Sequence, residues 1–171
     1  MKSQLEYLSQ YAYYHQNPSN VATHFVGIPM ILVAITILLS RPLIDLSIAV
    51  ISPAMIAALL ASLFYLRLDR SMGVLMSVLL ALSVWFSHYI AAQTTFIWLI
   101  SGIGLFVVGW IFQFVGHYFE GKKPAFVDDI IGLIIGPLFV VVEALFLLGF
   151  KKSWQQQIKT ACQLRNQNKE E

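Results

Sequence analysis

The chain has 171 residues, 58% of them hydrophobic and only 12% charged, with a formal net charge of +2. A soluble domain carries about 25% charged residues and cannot bury this much apolar surface, so a soluble enzyme, a disordered tail and a coiled coil are excluded. The weak charge gives no footprint for nucleic acid, and the single cysteine, Cys162, excludes an intrachain disulfide and cysteine-ligated zinc or iron–sulfur centres.

The first twenty residues are polar and aromatic and lack the basic start and apolar run of a cleaved signal peptide. Leu5, Leu8, Tyr11 and Tyr14 recur at three-residue steps, which predicts a short amphipathic helix at the membrane surface. It should stop near His15, because Asn17-Pro18 disfavours helix at Asn17. Ser19 or Asn20 is then expected to cap the next helix.

Five apolar stretches follow, from about His24 to Leu39, Ile44 to Leu66, Met72 to Ala92, Thr95 to Phe119 and Ile130 to Phe150. A membrane-spanning helix needs about 20 residues, with a range of roughly 17–25, so the middle three qualify easily and the first is marginal. Gly132, Gly136 and Pro137 interrupt the fifth, and a proline removes a backbone donor and clashes with the preceding turn. The fifth stretch is therefore expected as two half-helices. The polar tail from Ser153 is expected as a surface helix.

Basic residues test the topology. If the fifth stretch returns to its starting side, ten of the eleven lysines and arginines share one face and only Arg41 opposes them. That is a clear positive-inside pattern, whereas five full crossings erase it. The predicted fold is all-α: an integral membrane helical bundle with four crossings, a broken re-entrant C-terminal hairpin and an N-terminal surface helix. It is expected as one membrane domain over 1–171, with an interfacial helix and turn at 1–20, the bundle at 21–150 and the polar tail at 151–171. Both termini are expected on the cytoplasmic side.

Gly102, Gly109 and Gly116 are spaced by seven on the fourth stretch. They form a small-residue stripe suited to close helix packing.

The polar groups with chemical potential gather at helix ends on the basic face. His15 closes the surface helix, His24 opens the first crossing, and His117 and Glu120 sit at the end of the fourth, on one helix face by their i, i+3 spacing. The predicted topology brings these ends to one membrane depth. Imidazole suits iron and zinc, and two or three histidines, with or without a carboxylate, leave positions open for oxygen and substrate. Two readings stay open on the residues alone: interfacial hydrogen-bonding histidines, or ligands of one metal ion. His88 lies near the other end of the third stretch and is expected to be structural. Glu143 lies within an apolar stretch, where an ionisable group is by default paired or functional; Lys123 or a ligand histidine are its expected partners. Asp128 and Asp129 are placed to cap the half-helix that follows.

At these residues the chain resembles a family of membrane 2-hydroxy-fatty-acid dioxygenases, represented by a fungal enzyme that shortens chains during phytosphingosine breakdown. The matching strings are Tyr14-His15, Asn17-Pro18, Asn20 and His24, then the block Gly109-Trp110-Ile111-Phe112-Gln113-Phe114-Val115-Gly116-His117. They continue as Phe119-Glu120, Lys122-Lys123-Pro124-Ala125 and Asp128, and end as Glu143, Leu145-Phe146 and Leu148-Gly149-Phe150. The likeness covers about residues 5 to 150; residues 41 to 95 match in hydrophobicity alone.

The resemblance implies an Fe(II)-dependent membrane oxygenase that uses O2 to cleave a 2-hydroxy fatty acid between its first two carbons, leaving an acid shorter by one. Family histidines held to bind iron match His15, His24 and His117, and Glu120 matches an acidic position suited to a fourth ligand or a partner of the ligands. Asn17, Asn20, Gln113, Asp128 and Glu143 are polar groups suited to orienting ligands or substrate. Lys122 and Lys123 are placed to steer its carboxylate. The implied location is the inner membrane of a bacterium or the endoplasmic reticulum of a eukaryote, with the site on the cytoplasmic face. The partners implied are 2-hydroxy fatty acid, O2 and membrane lipid, without 2-oxoglutarate or haem. A di-iron lipid hydroxylase is disfavoured, since the four histidines include no HxxxH or HxxHH pair. The reading from a different class is a non-catalytic membrane lipid-binding or transport protein, supported by Glu143 and the interrupted fifth stretch.

Overall fold

The computed structural model describes residues 3–48, 50–121 and 131–167. Among these, the chain forms seven helices and one small hairpin: α1 (Gln4–Tyr13), α2 (Pro18–Leu39), β1 (Ile44–Asp45), β2 (Val50–Ile51), α3 (Pro53–Leu68), α4 (Arg70–Ala91), α5 (Thr95–Glu120), α6 (Gly132–Leu147) and α7 (Lys152–Gln167). The fold is an all-α membrane bundle as the hydropathy predicts. Three helices, α2, α4 and α5, are long and apolar enough to cross a membrane, and α6 with α7 makes a fourth if the bent pair counts as one span. Lys122, Lys123, Asp128 and Asp129 lie outside the described residues.

Local chemistry sets each boundary. Ser3 and Glu6 form a reciprocal capping box at the start of α1. The α2 cap differs from expectation. Asn17, rather than Ser19 or Asn20, caps it: its carbonyl accepts the Val21 N–H at 3.0 Å and its Oδ1 accepts the Ser19 N–H at 2.9 Å. Pro18 takes the first helical position, where a missing N–H costs nothing.

The second apolar stretch is corrected. Its helix starts at Pro53 rather than Ile44, because Ser52 caps it and the proline is suited to the first turn. Residues 44–51 instead pair as an antiparallel hairpin, Ile44 with Ile51 and Asp45 with Val50. The remaining helix α3 has 16 residues, about 24 Å at about 1.5 Å per residue.

The fifth stretch is corrected as well. The expected two half-helices are one continuous α6, and the bend comes after Leu147, where the chain turns by 119° into α7. Pro137 stays inside α6. Gly136 serves packing: a Cβ there would sit 3.0 Å from the Tyr11 hydroxyl and 3.2 Å from Ile28. The stop comes at Gly149, whose φ of +83° puts it in the left-handed region. Its N–H bonds the Phe146 carbonyl at 3.0 Å, and the Phe150 N–H bonds that of Leu145 at 2.8 Å, the pairing of a glycine-terminated helix.

The chain divides into two compact units, Met1–Ile28 with Phe112–Glu171, and Pro29–Ile111. In the second, Asp69 ends α3 and caps α4, accepting the Met72 N–H at 2.8 Å. Gly73 lets the two helices touch, since a Cβ would meet the Leu66 backbone at 2.5 Å. Thr36 Oγ1 pairs with Ser83 Oγ at 2.9 Å and Ser87 Oγ at 2.7 Å, so these buried hydroxyls satisfy one another. Gly102 supports the packing reading of the glycine stripe, for a Cβ there would lie 2.5 Å from Leu38. In the first unit, α1 packs on α6 and α7 and buries Tyr7, Leu8, Tyr11, Ala12 and Tyr13.

Candidate metal centre

His15, His24 and His117 meet inside the first unit. Each offers a ring nitrogen, and these atoms lie within 4.8 Å of one another. All three rings are buried, at 4%, 1% and 8% exposure. Centroid separations are 4.5 Å for His15–His24, 5.0 Å for His15–His117 and 5.1 Å for His24–His117, each pair edge to face.

Backbone carbonyls orient two of the rings. His15 Nδ1 lies 2.7 Å from the Tyr11 carbonyl and His24 Nδ1 lies 2.8 Å from the Asn20 carbonyl. A carbonyl only accepts, so each Nδ1 must carry its proton. In the neutral rings each Nε2 then presents a lone pair. Those two Nε2 atoms face each other at 3.0 Å. Two lone pairs at that distance repel, and either a proton carried by one ring or a metal ion between the two relieves that repulsion. A nitrogen–metal bond of about 2.1 Å places ligands at right angles about 3.0 Å apart, so the pair fits one transition-metal ion with His117 as a further nitrogen. A donor set of imidazoles suits zinc, copper, iron or nickel.

Aromatic rings wall the cluster. Tyr11 stacks on His15 at 4.1 Å and 4°, and Phe139 of α6 lies 4.9 Å from Tyr11 and 5.6 Å from His15. Burial pushes the Tyr11 phenol pKa up, so it stays un-ionised at neutral pH. The approach of α5 to α2 depends on Gly116. A Cβ there would fall 2.1 Å from Thr23 Oγ1, 2.5 Å from Asn20 Oδ1 and 3.2 Å from His24 Nδ1.

Glu120 stands outside the histidine cluster. Its carboxylate accepts the Gln16 N–H at 3.0 Å, the Asn17 N–H at 2.8 Å and Asn20 Nδ2 at 3.0 Å. Asn17 Nδ2 donates to the Phe119 carbonyl at 2.8 Å. Together they tie the end of α5 to the turn between His15 and His24. Gln113, one turn before His117, is buried at 6% exposure, and its Nε2 has no hydrogen-bond partner among the described residues. Glu143 is half-buried on α6 and faces the charge of Lys159 on α7.

Sequence reasoning missed Tyr11, Phe139 and Lys159. A signal for Tyr11 was present: it precedes His15 by four residues as Asn20 precedes His24, and that spacing lets Nδ1 reach a carbonyl one turn back.

A family model described as 2-hydroxy-palmitic acid dioxygenase Mpo1-like matches residues 1–148. The chain belongs to the Mpo1-like family. A curated relative, the 2-hydroxy-palmitic acid dioxygenase MPO1 of Saccharomyces cerevisiae, is 35% identical over 172 residues, covering 98% of this chain and 92% of that protein. No solved structure matches the chain. Within the Mpo1-like family match fall all three clustered histidines, Glu120 and the α1–α2 turn, whereas α7 lies beyond it.

Proposed function

We propose that this protein is a membrane dioxygenase that converts a 2-hydroxy fatty acid to the acid one carbon shorter, at a single Fe(II) held by His15, His24 and His117. The carrying observation is the pair of Nε2 atoms 3.0 Å apart with both Nδ1 protons fixed on carbonyls. The family match and the yeast relative's name supply the reaction class.

The reaction balances as RCH(OH)COOH + O2 → RCOOH + CO2 + H2O. The bond between the first two carbons breaks, and the carbons together lose the four electrons that O2 takes up, so no outside reductant enters. Ferrous iron, held by these three histidines, would relay the substrate's electrons to O2 and supply the Lewis acidity that acidifies the 2-hydroxyl.

The chain's own residues do the rest. The Tyr11 and Asn20 carbonyls hold the Nδ1 protons and so keep both Nε2 atoms available as donors. Tyr11 and Phe139 exclude water beside His15. Glu120 acts through the turn: it fixes the spacing of His15 and His24 relative to His117. Gln113 Nε2 is a buried donor, suited to hydrogen-bond the acid or its hydroxyl.

The test is 2-hydroxypalmitate given to purified protein in lipid discs, with Fe(II) and air. The expected products are the acid shorter by one carbon and CO2 in equal amount, by mass spectrometry. Equal yield without O2, or from palmitate lacking the hydroxyl, overturns the reading.

A further inference from the structure

A cavity of about 630 Å³ opens beside the cluster within the first unit, and His15 forms part of its wall. Small-molecule pockets run from roughly 300 to 1,000 Å³. Val21, Phe25 and Phe146 give it an apolar lining. Its charged groups are Glu143 of α6 and Lys159 of α7, and Lys159 is the one lysine or arginine on the wall among the described residues. Lys159 is exposed and His15 buried, so the one cavity wall carries both a solvent-reaching cation and an imidazole of the cluster.

We propose that Lys159 receives the carboxylate of the fatty acid that enters this cavity. The proposal rests on the reading of the substrate as a 2-hydroxy fatty acid. The apolar lining suits an acyl chain, but Glu143 alone would repel any acid. Lys159 is the cation that acts on Glu143, and its charge brings the wall from net negative to neutral. Lysine suits the task because its ammonium is a mobile point charge on a flexible stem. The cation sits on α7, past residue 148, where the family match ends.

Displacement of a fluorescent fatty acid from Lys159→Met protein in lipid discs tests this. Affinity for 2-hydroxypalmitate and for palmitate should fall about fivefold, the upper end for an exposed charge pair, and the loss should shrink as salt is raised. Hexadecane-1,2-diol, which lacks the carboxylate, should bind as to the unmodified protein, and this also shows that the site is folded. Lys159→Arg should restore the acids. In turnover the KM should rise with kcat held. Unchanged acid binding, or equal weakening for the diol, overturns the proposal. So does hexadecyl phosphate displacing the probe at lower concentration than palmitate, which would give the cation to a phospholipid headgroup. Lysine-dependent binding of the acid without any shortened product would defeat the dioxygenase reading and leave this proposal standing. Turnover with an unchanged KM in Lys159→Met would do the reverse.

Discussion

Two imidazole protons decide what the cluster can hold. His88 makes the same local bond as His15 and His24, its Nδ1 lying 2.9 Å from the Val84 carbonyl, yet it is not part of the cluster. The bond to a carbonyl one turn back is thus ordinary; the facing of two such rings is not. Replacing His15, His24 or His117 with alanine should remove at least nine-tenths of the iron from detergent-purified protein, by mass spectrometry, with helical circular dichroism retained. Full iron in His24→Ala would take that residue out of the site. Gly116 is the second sensitive position. Gly116→Ala drives a methyl into Thr23 Oγ1 and Asn20 Oδ1, and such overpacking costs about 1–3 kcal/mol. A lower thermal midpoint in detergent, with iron content reduced alongside, is the expected outcome.

Between elements, the decisive joint is the turn from α1 to α2. It carries His15 at its start and delivers His24 less than two helical turns past Pro18. Glu120 grips it through two backbone amides and Asn20, so the end of α5 sets the turn's position without contributing a ring to the cluster. Loss of groups that orient metal ligands typically costs about 10–100-fold in metal affinity. Glu120→Ala should weaken Fe(II) binding by that factor in a chelator competition. An unchanged affinity would show that the turn holds its shape unaided. The C-terminal elements answer to a similar local logic: Gly149 ends α6, and that stop lets α7 fold back and pack on α1.

For the whole molecule, the bilayer and the distribution of charge govern orientation. Cytoplasmic loops collect lysine and arginine, and the expected topology, with four crossings and a returning C-terminal segment, would leave Arg41 alone on the opposite side. That residue is held by its own end of the bundle, donating from Nε to the Ala91 carbonyl at 2.8 Å and from a terminal nitrogen to that of Gln93 at 2.7 Å. In a Cys162→Ser background, Ser3→Cys and Gln167→Cys should both react with an impermeant maleimide from the cytoplasmic face, and Arg41→Cys from the other. Labelling of positions 3 and 167 from opposite faces would refute this topology.

The all-α membrane class was legible in the sequence because a bilayer demands long apolar segments with every backbone group internally bonded. The third and fourth stretches end within two residues of α4 and α5 for the same reason. The three histidines stood out because the chain has only four. What hydropathy did not read were stops set by single residues. Ser52-Pro53 begins α3 inside an apolar run, and Gly149, rather than Pro137, breaks the fifth stretch. An average over many residues is blind to one cap. The site itself was decided in three dimensions. Glu120 meets Gln16 across 104 positions of chain, and His15 meets His24 across the turn that this carboxylate bonds. Neither spacing nor composition encodes the 3.0 Å between two Nε2 atoms; it follows from a glycine that lets α5 come close, a carboxylate that fixes the turn, and two carbonyls that hold the protons away.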